Sequence, residues 1–147
     1  MASRIRQFRQ ARGLTQEALA DRLQDLGLEG FNQSMVAKVE TDPTRAENLP
    51  VRRLLAFAMA LNVAPVHLMT PDAASEPVQL DGANRVYSGS MRAWVRGYWP
   101  IRDEDDRRDF FSAIPKDEFD ALIARRKNRD ESEGMPAPEF YLPDEPA

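Results

Sequence analysis

The sequence predicts an all-α protein: a compact five-helix domain over residues 1–70, a linker at 71–83, a small helical module at 84–129 and a disordered acidic tail at 130–147. Three observations predict it. Apolar residues recur at three- and four-residue spacings, the period of one face of a helix. Residues that start helices (Thr15, Asn32, Pro50) and stop them (Gly13, Asn62) fall between those runs. The charge also changes sign near residue 70. Nine Arg/Lys against seven Asp/Glu up to that point give +2, and eleven against seventeen beyond it give −6, for the total of −4.

Each element has a local reason. Residues 3–12 read as a first helix, with Ile5 and Phe8 on one face and arginines on the others; Gly13 stops it. Thr15 is a good N-cap, since its hydroxyl can accept from a free amide of the next turn. The second helix runs from Gln16 to Leu26 and places Leu19, Leu23 and Leu26 together. Gly27–Phe31 form a turn, Asn32 caps a third helix to Glu40, and Val36 and Val39 are its core residues. Residues 41–48 read as a polar loop. Pro50 suits the first turn of a fourth helix, whose apolar face is Leu54, Leu55, Ala58 and Leu61. A short fifth helix at Pro65–Met69 completes the unit.

Beyond it, Pro71, Pro77 and Gly82 mark the linker. From Asn84 to Trp99, Tyr87, Met91, Trp94, Val95 and Tyr98 predict one helical face, which Ser88-Gly89-Ser90 weakens at its start. Asp103–Ala113 and Lys116–Asn128 predict two more helices, with acids in their first turns as the helix dipole favours. Residues 130–147 hold four prolines and no basic residue, a composition that argues against a packed core.

Composition excludes several kinds of chemistry. The chain has no cysteine and one histidine, His67, so disulfides, thiol catalysis and zinc fingers are out, and no metal or cofactor is expected. There is no nucleophile–base pair and no phosphate-binding glycine loop, so no catalytic residue is assigned and the chain does not read as an enzyme. No apolar run reaches the ~18–20 residues of a membrane span, and the N-terminus lacks a signal-peptide block; the expected location is the cytoplasm.

The most informative stretch is Arg9-Gln-Ala-Arg-Gly-Leu-Thr-Gln-Glu-Ala-Leu-Ala-Asp-Arg-Leu23, followed by Asn32-Gln-Ser-Met-Val-Ala-Lys-Val-Glu40 and Leu54-Leu-Ala-Phe-Ala-Met-Ala-Leu-Asn-Val63. It resembles the Cro/phage-repressor (Xre-type) helix-turn-helix family over residues 3–70. The resemblance implies a lambda-repressor-like domain that binds double-stranded DNA and regulates transcription, with the helix at 32–40 in the major groove, where base edges are distinguishable. It places Gln33, Ser34 and Lys38 on bases, with Met35 and Ala37 beside them near a thymine methyl or the backbone. It places Gln16 and Asn32 on phosphates, since free amides at a helix start favour an anion. Thr44 and Arg45 would hold a further phosphate. Arg9 and Glu40 match a structural salt bridge. One departure is clear: the turn between the second and third helices is about six residues longer than usual, read as an extension of helix two and its turn around Gln24–Phe31.

Arg4, Arg6 and Arg12 can serve as phosphate clamps or simply face solvent. Arg85, Arg92 and Arg96 fall on one helical stripe, which can grip DNA backbone or pair with Asp103–Asp106 or Asp109. The aromatic face of the second module suits a core, a homodimer contact or another protein partner. The leading reading is a transcriptional repressor of phage or mobile-element type; the alternative is an antitoxin that regulates its own synthesis through the same domain.

Overall fold

A computed structural model of the chain describes residues 1–81, 84–98, 100–101, 107–121 and 123–124. It is mostly helical, with a single two-stranded sheet among the described residues. The chain divides into two compact units, Met1–Asp72 and Ala73–Ala147. No helix among the described residues is long and apolar enough to cross a membrane.

The first unit contains α1 (Ala2–Ala11), α2 (Gln16–Asp25), α3 (Gln33–Thr41), α4 (Pro43–Glu47), α5 (Val51–Leu61) and α6 (Pro65–Met69). The caps are the residues expected. Thr15 Oγ1 accepts from Ala18 N at 3.0 Å, and Asn32 Oδ1 accepts from Met35 N at 3.0 Å. At the end of α1, Gly13 N donates to Gln10 O and Leu14 N to Arg9 O, with Gly13 at φ 64°. This paired closure needs a left-handed residue, which glycine adopts without a Cβ clash. The same closure at Gly27, φ 83°, turns Leu28 back onto the core.

The core is built from Ile5, Leu19, Leu23, Val36, Val39, Phe57, Leu61 and Leu68, each at most 1% exposed. Two expected core residues lie elsewhere: Leu26 and Leu55 are 38% and 45% exposed. Leu26 is the C-cap of α2, where the chain leaves the helical face that buries Leu19 and Leu23. The expected loop at 41–48 contains α4, because Asp42 Oδ1 caps Arg45 N and Pro43 occupies the first helical position. The first unit therefore has six helices, one more than expected.

Of the added residues around Gln24–Phe31, Gln24 and Asp25 belong to α2, and the remainder form the lengthened turn. It is anchored by Phe31, 4% exposed, whose ring meets Phe57 edge-on at 5.6 Å. Gln24 Nε2 donates to Phe31 O at 2.7 Å, so α2 holds the end of the turn directly.

The second unit departs further from expectation. The expected linker holds β1 (Pro77–Asp81), which pairs antiparallel with β2 (Asn84–Tyr87) and bulges between Gln79 and Asp81. Val78 faces Val86, and Arg85 Nε donates to its cross-strand neighbour Gln79 Oε1 at 3.0 Å. α7 (Ser88–Val95) begins where the sequence reading was weakest. Ser88 is fully buried, with its amide on Glu76 O at 2.9 Å and its hydroxyl on Ala73 O, and Gly89 N donates to Ala74 O. A Cβ on Gly89 would lie 3.2 Å from that of Ala74, so the small residues there serve close packing. α8 (Arg107–Ser112) and a helical segment at 116–121 follow, and Phe111 packs against Phe110 and Phe119. On the expected aromatic face, Trp94 and Tyr98 are 41% and 51% exposed, while Tyr87 and Met91 are half-buried. The expected helix starts at Asp103–Asp106, the end of the last helix at 125–128 and the acidic tail at 130–147 lie outside the described residues.

Candidate functional site

α3 carries the candidate site. Its inner face, Val36, Val39 and Glu40, is buried, and its outer residues Gln33, Ser34, Lys38 and Thr41 are exposed, with Ala37 half-buried among them. At about 100° per residue these five occupy one side of the helix. The face is a row of three amide or hydroxyl side chains, an ammonium and a methyl group, without a carboxylate. Thr41 was missed by the sequence reading, although the spacing 34, 38, 41 signals it; its hydroxyl donates to Ala37 O at 2.8 Å.

A buried ion pair sets the orientation of this helix. Arg9 on α1 grips Glu40 on α3 through two parallel hydrogen bonds, Nε to Oε1 at 2.6 Å and Nη2 to Oε2 at 3.0 Å. The side chains are 11% and 1% exposed. Arg9 Nη1 also donates to Leu14 O at 2.7 Å, tying in the turn before α2. Gln16 at the start of α2 completes the network by donating Nε2 to Glu40 Oε2 at 2.9 Å. Three helices thus meet on one carboxylate. Gln16 is directed inward by this bond and stands half-buried, leaving the second hydrogen of Nε2 and its own carbonyl oxygen as outward groups.

Burial pushes the Glu40 carboxyl up, but the hydrogen bonds from Arg9 and Gln16, with the charges of Arg9 and Arg6, outweigh it and hold the group below its ordinary value. The hydrogen bond to Glu40 correspondingly raises Arg9, against its burial. A depressed folded-state carboxyl adds stability that is complete above its unfolded value, about 4.3, and is lost as pH falls through the lowered one. Thermal melts at a series of acidic pH values are expected to show a shallower loss of stability below that point for Glu40→Gln than for the unaltered chain.

The other expected contacts divide clearly. Asn32 is exposed and its Oδ1 serves the cap, so its amide NH2 is the group able to donate outward. Thr44 and Arg45 are exposed on α4, not on a loop, and Arg45 Nε lies 3.9 Å from Asp42 Oδ2. Both members of that pair are about half exposed, and such surface pairs contribute about 0–1 kcal/mol, too little to hold Arg45 from a stronger anion.

Arg4 and Arg12 bind the fold itself, an outcome outside both the clamp and the solvent-facing expectations. Arg4 is buried; it donates to His67 O at 3.1 Å, pairs with Asp72 at 2.5 Å and lies over the Phe8 ring. Arg12 donates to Leu61 O and Asn62 O, closing the end of α5. Their carbonyl partners are distant in sequence, so no local signal announced them. Arg6 remains exposed. The three-arginine stripe is also corrected, because Arg85 lies on β2 while Arg92 and Arg96 lie on and just after α7. Arg92 Nη1 donates to Ser88 Oγ at 3.3 Å, and Arg96 is exposed.

Among the described residues, no group of three or more His, Asp or Glu side chains gathers where it could hold a metal ion. Comparison with protein-family models, with curated proteins and with solved structures returns no match for this chain.

Proposed function

We propose that the chain binds double-stranded DNA through α3 and acts as a sequence-specific transcriptional regulator, most simply a repressor. One observation carries the proposal: α3 turns a carboxylate-free polar face outward while its opposite face and Glu40 are locked to α1 and α2. A polar helix face held rigidly and free of negative charge suits the major groove, which is wide enough for an α-helix and displays distinct donors and acceptors for each base pair.

The roles follow from the side chains. Gln33 can pair with adenine through two hydrogen bonds, Lys38 can donate to guanine, Ser34 suits either, and Ala37 can touch a thymine methyl. In this reading the free amides at the start of α2, beside Gln16, and the Asn32 amide meet phosphates. Thr44 and Arg45 supply a further contact at the start of α4. In this reading α1, α2, α3, α5 and α6 correspond to the five helices of the Cro/phage-repressor type that the sequence resembles, and α4 is an added turn.

Selection of bound sites from a random duplex pool tests the proposal. Enrichment of one sequence supports it; no enrichment, with binding that vanishes at moderate salt, overturns it. On the selected site, Gln33→Ala is expected to weaken binding by about 1–3 kcal/mol and to relax base choice at one position. Arg45→Ala is expected to weaken all sequences alike and to reduce the salt dependence. An unchanged preference in the Gln33→Ala chain would remove α3 from the reading.

A further inference from the structure

Thr41 closes the outward row of α3 and has no role in the DNA-binding reading. It is exposed and in register with the other outward residues: Ser34, Ala37, Lys38 and Thr41 follow at offsets of three, four and seven. On a helix these offsets stay on one side over two turns. A helix that meets bases only at its N-terminus needs the first turn of such a row and no more. One that lies along the groove uses the same offsets through the second turn.

The chemistry at the far end of the row differs from that at its start. Thr41 Oγ1 donates its hydrogen to Ala37 O at 2.8 Å, the carbonyl one turn back. A hydroxyl has one hydrogen, so none is left for a base or a phosphate oxygen. What Thr41 keeps for a partner is its γ-methyl and the lone pairs of Oγ1. Residues four apart on a helix are neighbours, so Ala37 and Thr41 place two methyl groups together on an otherwise polar row. Phosphate is a poor partner for that spot. Its oxygens only accept, and neither a methyl nor a lone pair donates to them. The residue that follows, Asp42, adds a negative charge, with Oδ1 accepting from Arg45 N at 3.1 Å and Oδ2 at 3.9 Å from Arg45 Nε. In the major groove, the group that suits an apolar spot is the C5-methyl of thymine, for which alanine and the threonine methyl are fitting partners.

We infer that α3 lies along the groove and that Thr41, with Ala37, reads the methyl group of one thymine at the end of the site opposite to that read by Gln33. The inference rests on the DNA-binding reading and adds to it a docking direction and a further specificity residue. Gln33 and Thr41 are eight residues apart, about 12 Å along α3. Base pairs stack at about 3.4 Å, so the thymine is expected roughly two to four base pairs from the position that Gln33→Ala relaxes.

Fluorescence anisotropy of the full chain on the selected duplex is the test, with each thymine replaced in turn by deoxyuridine, which lacks only the methyl group. For the unaltered chain, one replacement in that window is expected to weaken binding about fourfold, the contribution of one buried methyl group. Thr41→Ser keeps the hydroxyl for Ala37 O and removes the methyl. It should bind the parent duplex about fourfold less tightly and no longer respond to that deoxyuridine. Thr41→Val keeps a methyl without the hydroxyl and should go on responding. The inference is overturned if no thymine in the window matters, or if the selected site has none there, as a cytosine amino group facing Oγ1 would produce. A penalty that survives Thr41→Ser assigns the methyl to another residue and overturns it too. So does a Thr41→Val chain that weakens on all duplexes alike with a smaller salt dependence, the mark of a backbone contact. Gln33→Ala keeps the two readings apart. If that change relaxes one base position while every deoxyuridine duplex binds normally, α3 remains the DNA-reading helix and only the role of Thr41 falls. If no sequence is enriched at all, both fall.

Discussion

Arg9→Met is expected to destabilise the first unit by about 3–5 kcal/mol, because it leaves the Glu40 carboxylate buried with only Gln16 as a donor. The loss of one buried partner is costly chiefly through the charge left behind. Removing both should therefore restore much of the stability: Arg9→Met/Glu40→Leu exchanges the pair for apolar volume, which in other buried pairs is near neutral. Urea denaturation of the two single variants and the double completes the cycle. Strict additivity, or a loss below about 1 kcal/mol for Arg9→Met, would show that the pair does not couple α1 to α3. The double variant also separates folding from function. On the proposed reading it should fold, yet bind the selected duplex more weakly, because α3 and Gln16 lose the carboxylate that aligns them.

Phe31→Ala is expected to cost about 3–5 kcal/mol, the usual range for emptying a buried phenylalanine site. The ring sits edge-on to Phe57 and beneath the Arg53 guanidinium, and its residue's carbonyl holds Gln24. It is also the residue just before Asn32, the cap of α3. Loss of the ring should loosen the entry to α3 as well as the core. Phe31→Leu, which keeps most of the apolar volume, should cost less than half as much. The same denaturation experiment decides this. A loss under about 1 kcal/mol for Phe31→Ala would mean that the lengthened turn is not anchored through the ring.

The first unit was legible where the information is local. Thr15 and Asn32 cap, Gly13 ends a helix, and Leu19, Leu23, Val36 and Val39 fall on the period of a helix, so the elements appear within one or two residues of their expected limits. α4 was missed because Asp42-Pro43 is both a turn signal and a helix start, and five residues are too few for a hydrophobic period to show. The second unit was misread for a related reason. Tyr87, Met91, Trp94, Val95 and Tyr98 share a helical spacing, but Tyr87 belongs to β2, and a two-stranded hairpin with a bulge offers only four or five alternating residues. Pro77 was read as a linker residue when it opens β1, a position where its missing amide hydrogen is tolerated.

The sequence by itself determined where five of the six helices of the first unit begin and end, and which side of α3 is apolar, since caps and periodicity depend on residues only a few positions apart. Only the tertiary structure decided what Arg4 and Arg12 do. They look alike on α1 and at its end, yet they reach a carbonyl at residue 67 and the end of α5, whereas the pairing of Arg9 with Glu40 was already implied by the resemblance. A guanidinium carries the same charge wherever it stands, and whether it supports the fold or faces a ligand is set by which acceptors the folded chain brings within 3 Å or so of it.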